Sequence, residues 1–187
     1  MVNEEHLPLG WGSEAVPLHS YVSFYYSQEA TLRQSLAFIR AGLREPGTFC
    51  AVLADAGRHA TVVEELLGDE GPEQLRRLMD AGKLAIVEPQ PTFEQLAGTM
   101  LARMDQALAE GFERIRALGL VAWGQPGWPD LSALKECEAQ VNRVAASYPA
   151  VIVCAYNLPQ LPGQAVAESE RGDGPLVIVN DRLEVGR

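Results

Sequence analysis

At 187 residues, with 47% hydrophobic and 21% charged side chains, the chain has the composition of one globular domain with a sizeable core. Fifteen basic and twenty-five acidic side chains leave a net charge of −10, a field that repels phosphate backbones and anionic lipid and argues against nucleic-acid or membrane partners. Its apolar runs are too short to span a bilayer, and Met1–His6 lacks the basic and apolar stretches of a signal peptide, so a cytoplasmic location is expected.

Residues 1–18 carry Pro8, Gly10, Gly12 and Pro17 without a usable period and read as an N-terminal arm or a disordered tag, which Trp11 would anchor. One domain is expected over 19–187. The alternating, aromatic His19–Tyr26 predicts a strand. Ser27 is expected to cap a helix carrying Leu32, Leu36, Ile39 and Leu43, with Gly42 stopping it. Thr48–Ala54 reads as a buried strand, followed by a short helix with Val62, Val63, Leu66 and Leu67. Pro72 opens a further helix that ends at Gly82.

Lys83–Glu88 predicts a third strand. Thr92 and Gln95 form a capping box before a long helix whose stripe runs from Phe93 through Met104 and Phe112 to Ile115. Leu118–Trp123 is the next expected strand, then a proline-stiffened loop, then a helix capped by Asp130 with Leu134, Cys137, Val141, Val144 and Tyr148 inward. Ala150–Asn157, β-branched and bounded by Pro149 and Pro159, reads as a central strand buried on both faces. Pro175–Asn180 is expected to be a last strand, with Leu183–Val185 in a hairpin against it. Strands alternating with helices predict an α/β fold: three layers, α/β/α, around a mostly parallel sheet.

Ligands of such sheets bind at the carboxyl ends of the strands. There the chain places Cys154, Tyr156 and Asn157 on the central strand, and Trp123 and Trp128 on the proline-stiffened loop. Glu138 and Asn142, at i and i+4, share one helix face. Two indoles and a phenol suit an apolar small-molecule pocket, although tryptophan in a loop is equally often core or interface. The turn Asp55, Gly57, Arg58, His59, Thr61 sits where a phosphate loop would, but lacks the lysine of G-x-x-x-x-G-K-[ST]. A solvated turn is the plainer reading, and weak anion binding at the helix N-terminus the alternative. His6, His19 and His59 show no metal-ligand spacing, so neither metal nor cofactor is expected. Cys50, Cys137 and Cys154 are isolated and read as buried reduced thiols, with a small enzyme built on Cys154 or His19 as the competing idea.

Several pieces in succession resemble the MEDS family, the sensory domain of methanogens and methylotrophs named from a dichloromethane regulator. They are His19–Tyr25 with Glu29, Phe38–Leu43, Trp123, Cys137-Glu138 with Asn142, Cys154-Ala-Tyr156 and Pro175–Asn180. The resemblance implies a RecA/KaiC-like topology with a degenerate phosphate loop, and a role in signal transduction or transcription regulation through sensing of hydrocarbon derivatives. Two polar positions associated with the family are lost: Gly119–Ala122 is apolar, and Gly174 replaces a histidine. What survives is an apolar pocket. The expected function is therefore non-enzymatic binding of a small, mostly apolar molecule walled by Trp123, Trp128 and Tyr156 and oriented by His19, Glu138 and Asn157. Family members sit beside output modules, so the expected partner is a second copy of the chain, or a separate kinase or regulator. A degenerate ATPase-like module holding a nucleotide without hydrolysis, and a ligand-free interaction module, are the alternatives.

Overall fold

The computed structural model describes residues 5–10, 15–67, 71–122, 124–160, 176–179 and 182–184. From the amino end, β1 (His6–Pro8) pairs antiparallel with β2 (Ala15–Pro17). There follow β3 (Ser20–Tyr26), α1 (Glu29–Arg44), β4 (Thr48–Leu53), α2 (Ala56–Leu67), α3 (Gly71–Asp80) and β5 (Leu84–Val87). The second half comprises α4 (Phe93–Ala109), β6 (Arg114–Val121), α5 (Leu134–Ser147), β7 (Ala150–Asn157), β8 (Leu176–Val179) and β9 (Arg182–Glu184).

The main sheet runs β5-β4-β6-β7-β3-β8-β9 and is parallel throughout, except for the β8–β9 hairpin. This is the expected three-layer α/β/α architecture. β7 stands at its middle and is buried from Ala150 to Tyr156, as its unbroken apolar run requires. Alternation along the strands sends two sets of side chains to two faces. Val22, Phe24, Val52, Leu118 and Val153 pack with α1 and α2, whereas Tyr21, Tyr25, Ala117, Ile152 and Cys154 pack with α4 and α5.

Several local expectations are corrected. Where the arm is described, it packs on the body: Leu7, Leu9 and Val16 are buried, and Gly10, at φ +88, lies so close to Ala37 O that a Cβ would stand 2.5 Å from it. Trp11 lies outside the described residues. The N-cap of α1 is Gln28, not Ser27, and makes no side-chain cap bond. Gly42 does not stop α1, which continues to Arg44; a Cβ there would meet Arg116 Cδ at 2.5 Å and Cys50 Sγ at 2.7 Å. Its role is close approach of helix to sheet. Helix α4 ends at Ala109, short of the expected stripe through Phe112 and Ile115. Gly111, at φ +95, closes α4 in a Schellman motif, with Phe112 N–H donating to Ala107 O and Gly111 N–H to Leu108 O. Strand β6 therefore starts at Arg114, four residues before the expected one. Gly82 closes α3 in the same way, as expected. Thr92 accepts from Gln95 N at 3.3 Å, and Asp130 caps a short 3-10 turn, Leu131–Ala133, that leads into α5.

Arg116 holds the α1 face together. It is fully buried on β6 and donates to Glu45 Oε1 (2.7 Å), Pro8 O (2.7 Å) and Phe38 O (3.3 Å), with its guanidinium 4.9 Å from the Phe38 ring centroid. One side chain thus ties arm, helix and sheet.

Candidate functional site

On the opposite face α4 and α5 lie side by side over β4, β6 and β7 and enclose an apolar cavity of about 90 Å³. Met100 and Met104 of α4 and Val141 and Val144 of α5 form its sides, and Gly119 and Cys154 part of its floor. The missing side chain at Gly119 opens the floor, since a Cβ there would reach only ordinary contact with Val121 Cγ2 (3.4 Å) and Cys154 Sγ (3.5 Å). Phe93, Ala97, Leu101 and Gln140 line both this cavity and a surface groove between the first turns of the two helices. Those four side chains stand between the cavity and the groove. Near the other ends of the helices, Tyr148 donates to Asp105 Oδ1 at 2.7 Å and pins them together.

Behind Cys154, outside the cavity's own lining, lies a buried polar group. The hydroxyls of Tyr21 and Tyr156 share a buried hydrogen bond of 2.9 Å, and Tyr25 stacks on Tyr156 with centroids 5.3 Å apart. Ser23 stands directly across from Cys154 in the β3–β7 register. From α5, Glu138 faces this group. Burial raises its pKa, and the nearby hydroxyls of Tyr156, Tyr21 and Ser23 oppose that rise. Glu138 Oε1 and Ser23 Oγ are both buried, and their bonds within this group are loose rather than close. Burial pushes the Cys154 thiol up to about 12 and that of Cys137 to about 11, so both are protonated at neutral pH. Burial, followed by the charges of Cys154 and Glu138, holds the Tyr21 phenol well above its ordinary value.

Of the anticipated site residues, Glu138, Cys154 and Tyr156 come together here. Trp128 is buried in the same half of the core but does not line the cavity. Trp123 lies outside the described residues. Asn142, one turn after Glu138, and Asn157, opposite Tyr26 at the end of β7, are half-buried. His19 is exposed at φ +69, at the amino edge of the sheet, because the register pairs Ser20 with Val151, three positions before Cys154. It therefore cannot serve a site at the carboxyl ends. The turn Asp55–Thr61 opens α2, and its helix terminus is already occupied. Arg58 N–H donates to Asp55 Oδ1 (3.2 Å) and to Asp55 O (3.0 Å), and His59 N–H to the same carbonyl (3.1 Å). A phosphate arriving there would meet a carboxylate. Sequence reasoning missed Tyr21, Ser23, Gly119 and the methionine pair. Tyr21 and Ser23 sit in a strand that was recognised, but only the register reveals their partners.

The described residues thus form a mostly parallel α/β sheet with a helix-covered apolar cavity. The model of the MEDS family, the methanogen/methylotroph DcmR sensory domain, matches residues 21–171, and the chain belongs to that family. Among solved structures it is similar to a KaiC-like protein from the hyperthermophilic archaeon Pyrococcus horikoshii, with a TM-score of 0.67 at 13% identity over 98% of this chain and 85% of that one. That likeness shows a KaiC/RecA-type fold. No curated protein matches the sequence. The family carries a sensing or signalling role for the chain. No helix among the described residues is long and apolar enough to cross a membrane.

Proposed function

We propose that the chain is a non-enzymatic sensory domain that takes a small, mostly apolar molecule into the cavity between α4, α5 and the sheet. The observation that carries this reading is the apolar cavity, divided from the α4–α5 groove by only Phe93, Ala97, Leu101 and Gln140. At ~24 cal/mol per Å³, an unfilled void of about 90 Å³ costs about 2 kcal/mol, a large share of a domain's net stability. A guest recovers that loss. Cavities of ~150 Å³ hold benzene, so this one suits a molecule of about three to five heavy atoms.

The signal would leave through the two helices, which are pinned at Tyr148–Asp105 and parted by a groove at their first turns. Its receiver is a second copy of the chain or a separate kinase or regulator in the cytoplasm. Protonated thiols speak against a cysteine enzyme, and Asp55 at the start of α2 speaks against a retained nucleotide. Hydrogen exchange in α4 and α5, followed across a panel of apolar molecules of that size, tests the reading. Slower exchange in both helices is expected with at least one ligand class. Unchanged exchange across the panel would favour a ligand-free interaction module.

A further inference from the structure

We propose that β5 is a docking edge for a second copy of this chain: the two β5 strands pair antiparallel about a twofold axis at Ala85 and join two sheets into one. The proposal is independent of what the cavity holds, and it gives a place to the second copy named above as a receiver. β5 ends the sheet, and no strand among the described residues lies outside it. Cys50 N–H donates to Lys83 O (2.9 Å) and Ala54 N–H to Val87 O (3.1 Å). In the parallel β4–β5 ladder, Lys83, Ala85 and Val87 therefore turn their backbone groups toward β4. Leu84 and Ile86 turn theirs outward, while their side chains pack into the core on the α1–α2 face.

An extended strand is what meets alternate outward N–H and C=O groups, and this edge fits itself. An axis at Ala85 sets Leu84 opposite Ile86 of the second copy, and Ile86 opposite its Leu84, each pair exchanging both backbone bonds. Leu84–Val87 contains no proline or charge of the kind that keeps edges apart, whereas the far edge, β9, reads Arg182-Leu-Glu184. Met79, the one exposed large apolar side chain among the described residues, shares a depression with Leu84 and Ala85 at the amino end of β5. A strand of 4 residues is too short to hold a dimer alone, since stable interfaces bury ~1,200 Å² or more. α4 supplies the rest. The axis keeps each sheet face on its own side and lays the two α4 helices antiparallel along their outer faces. There Gln95, Gly98, Thr99, Ala102, Arg103 and Gln106 line a groove whose small residues allow close approach. Arg103, the one charged residue of that lining, is linked through Gln106 (3.5 Å) to Glu110 (2.8 Å). The same helix lines the cavity with Met100 and Met104, so a shift of α4 over a bound guest reaches the second copy.

Sedimentation velocity of wild type, Ala102→Lys and Ile86→Pro over a dilution series tests the edge. Wild type is expected to sediment as a dimer of the 20.3 kDa chain. Ala102→Lys sets a long cation beside Arg103 at an exposed helix position and is expected to weaken the dimer roughly tenfold or more. Ile86→Pro removes an N–H that faces away from β4, so it is expected to break the dimer and leave the ladder in place. In the wild-type dimer the Leu84 and Ile86 amides are expected to exchange slowly, and to exchange fast once dilution releases monomer. A monomeric wild type at its highest soluble concentration overturns the proposal and leaves the ligand tests of the cavity untouched. A dimer that both variants leave intact, or assembly beyond the dimer, overturns it as well. Ala102→Lys alone decides if the proline variant fails to fold.

Discussion

The face of the sheet under α1 and α2 and the face under α4 and α5 are built from the same strands, residue by alternate residue, yet they are finished differently. On the first, a buried charge is matched at all but its Nε: Arg116 has Glu45, two carbonyls and an aromatic ring, and Gly42 leaves room for it. On the second, the polar group is half-satisfied, and glycine leaves space where a side chain would fit. A glycine next to a packed arginine is a structural necessity; a glycine next to a void keeps a chamber open. We read the first face as the stabilising one and propose the second as the binding one.

The largest effect should come from breaking the first face. Arg116→Ala strands Glu45 and unpins the arm, and a loss of about 3–5 kcal/mol is expected in urea denaturation. Gly42→Ala comes next. Alanine favours a helix by about 1 kcal/mol, but overpacking against Arg116 and Cys50 costs about 1–3 kcal/mol, so the net sign is expected to be destabilising. An increase in stability would mean that the α1 face has room to give.

On the second face the same kind of change should behave oppositely. Gly119→Val fills the floor without a backbone clash, so stability is expected to stay within about 1 kcal/mol of wild type. The stabilisation a ligand confers, about 1.4 kcal/mol at ten times its Kd, should vanish in thermal melts. The smallest effect is a pH dependence. Burial raises the pKa of Glu138, so the folded chain holds that proton to higher pH than the unfolded chain does. Its contribution is therefore favourable below the ordinary carboxylate range and is lost as pH rises through the raised value. Glu138→Gln removes the linkage, and its stability relative to wild type should improve from about pH 4 to about pH 7. No change in that difference would mean that Glu138 is solvated.

Much of the architecture was legible because it rests on local rules. β7 announced itself as an unbroken apolar run between prolines, and Gly82 and Asp130 ended and began helices as their chemistry dictates. The misreadings have physical causes. Phe112 and Ile115 continue the α4 period by coincidence, so periodicity overrode the stop at Gly111. Arg116 carries no signal in the sequence, because its partners lie 71, 78 and 108 residues away. The arm looked unstructured because Leu7, Leu9 and Val16 are apolar without a period, and only the groove they fill makes them core. For the candidate site the sequence placed Glu138, Cys154 and Tyr156 together through their strand-end and helix-face positions. Tyr21 joins Tyr156 across 135 residues, which no local pattern encodes. A cavity is still less legible, since it consists of atoms that are not there.

The central claim is that small molecules enter the chamber under α4 and α5, and its walls supply the probe. Met100 and Met104 line the cavity, whereas Met79 is exposed on α3. With the methionine methyl groups labelled with carbon-13, titration with n-propanol and with 1-chloropropane is expected to move the Met100 and Met104 signals saturably and to leave Met79 in place. In Gly119→Val the same titrations should be flat. Saturable shifts confined to Met79, or unmoved Met100 and Met104 signals at the solubility limit of both compounds, would contradict the account.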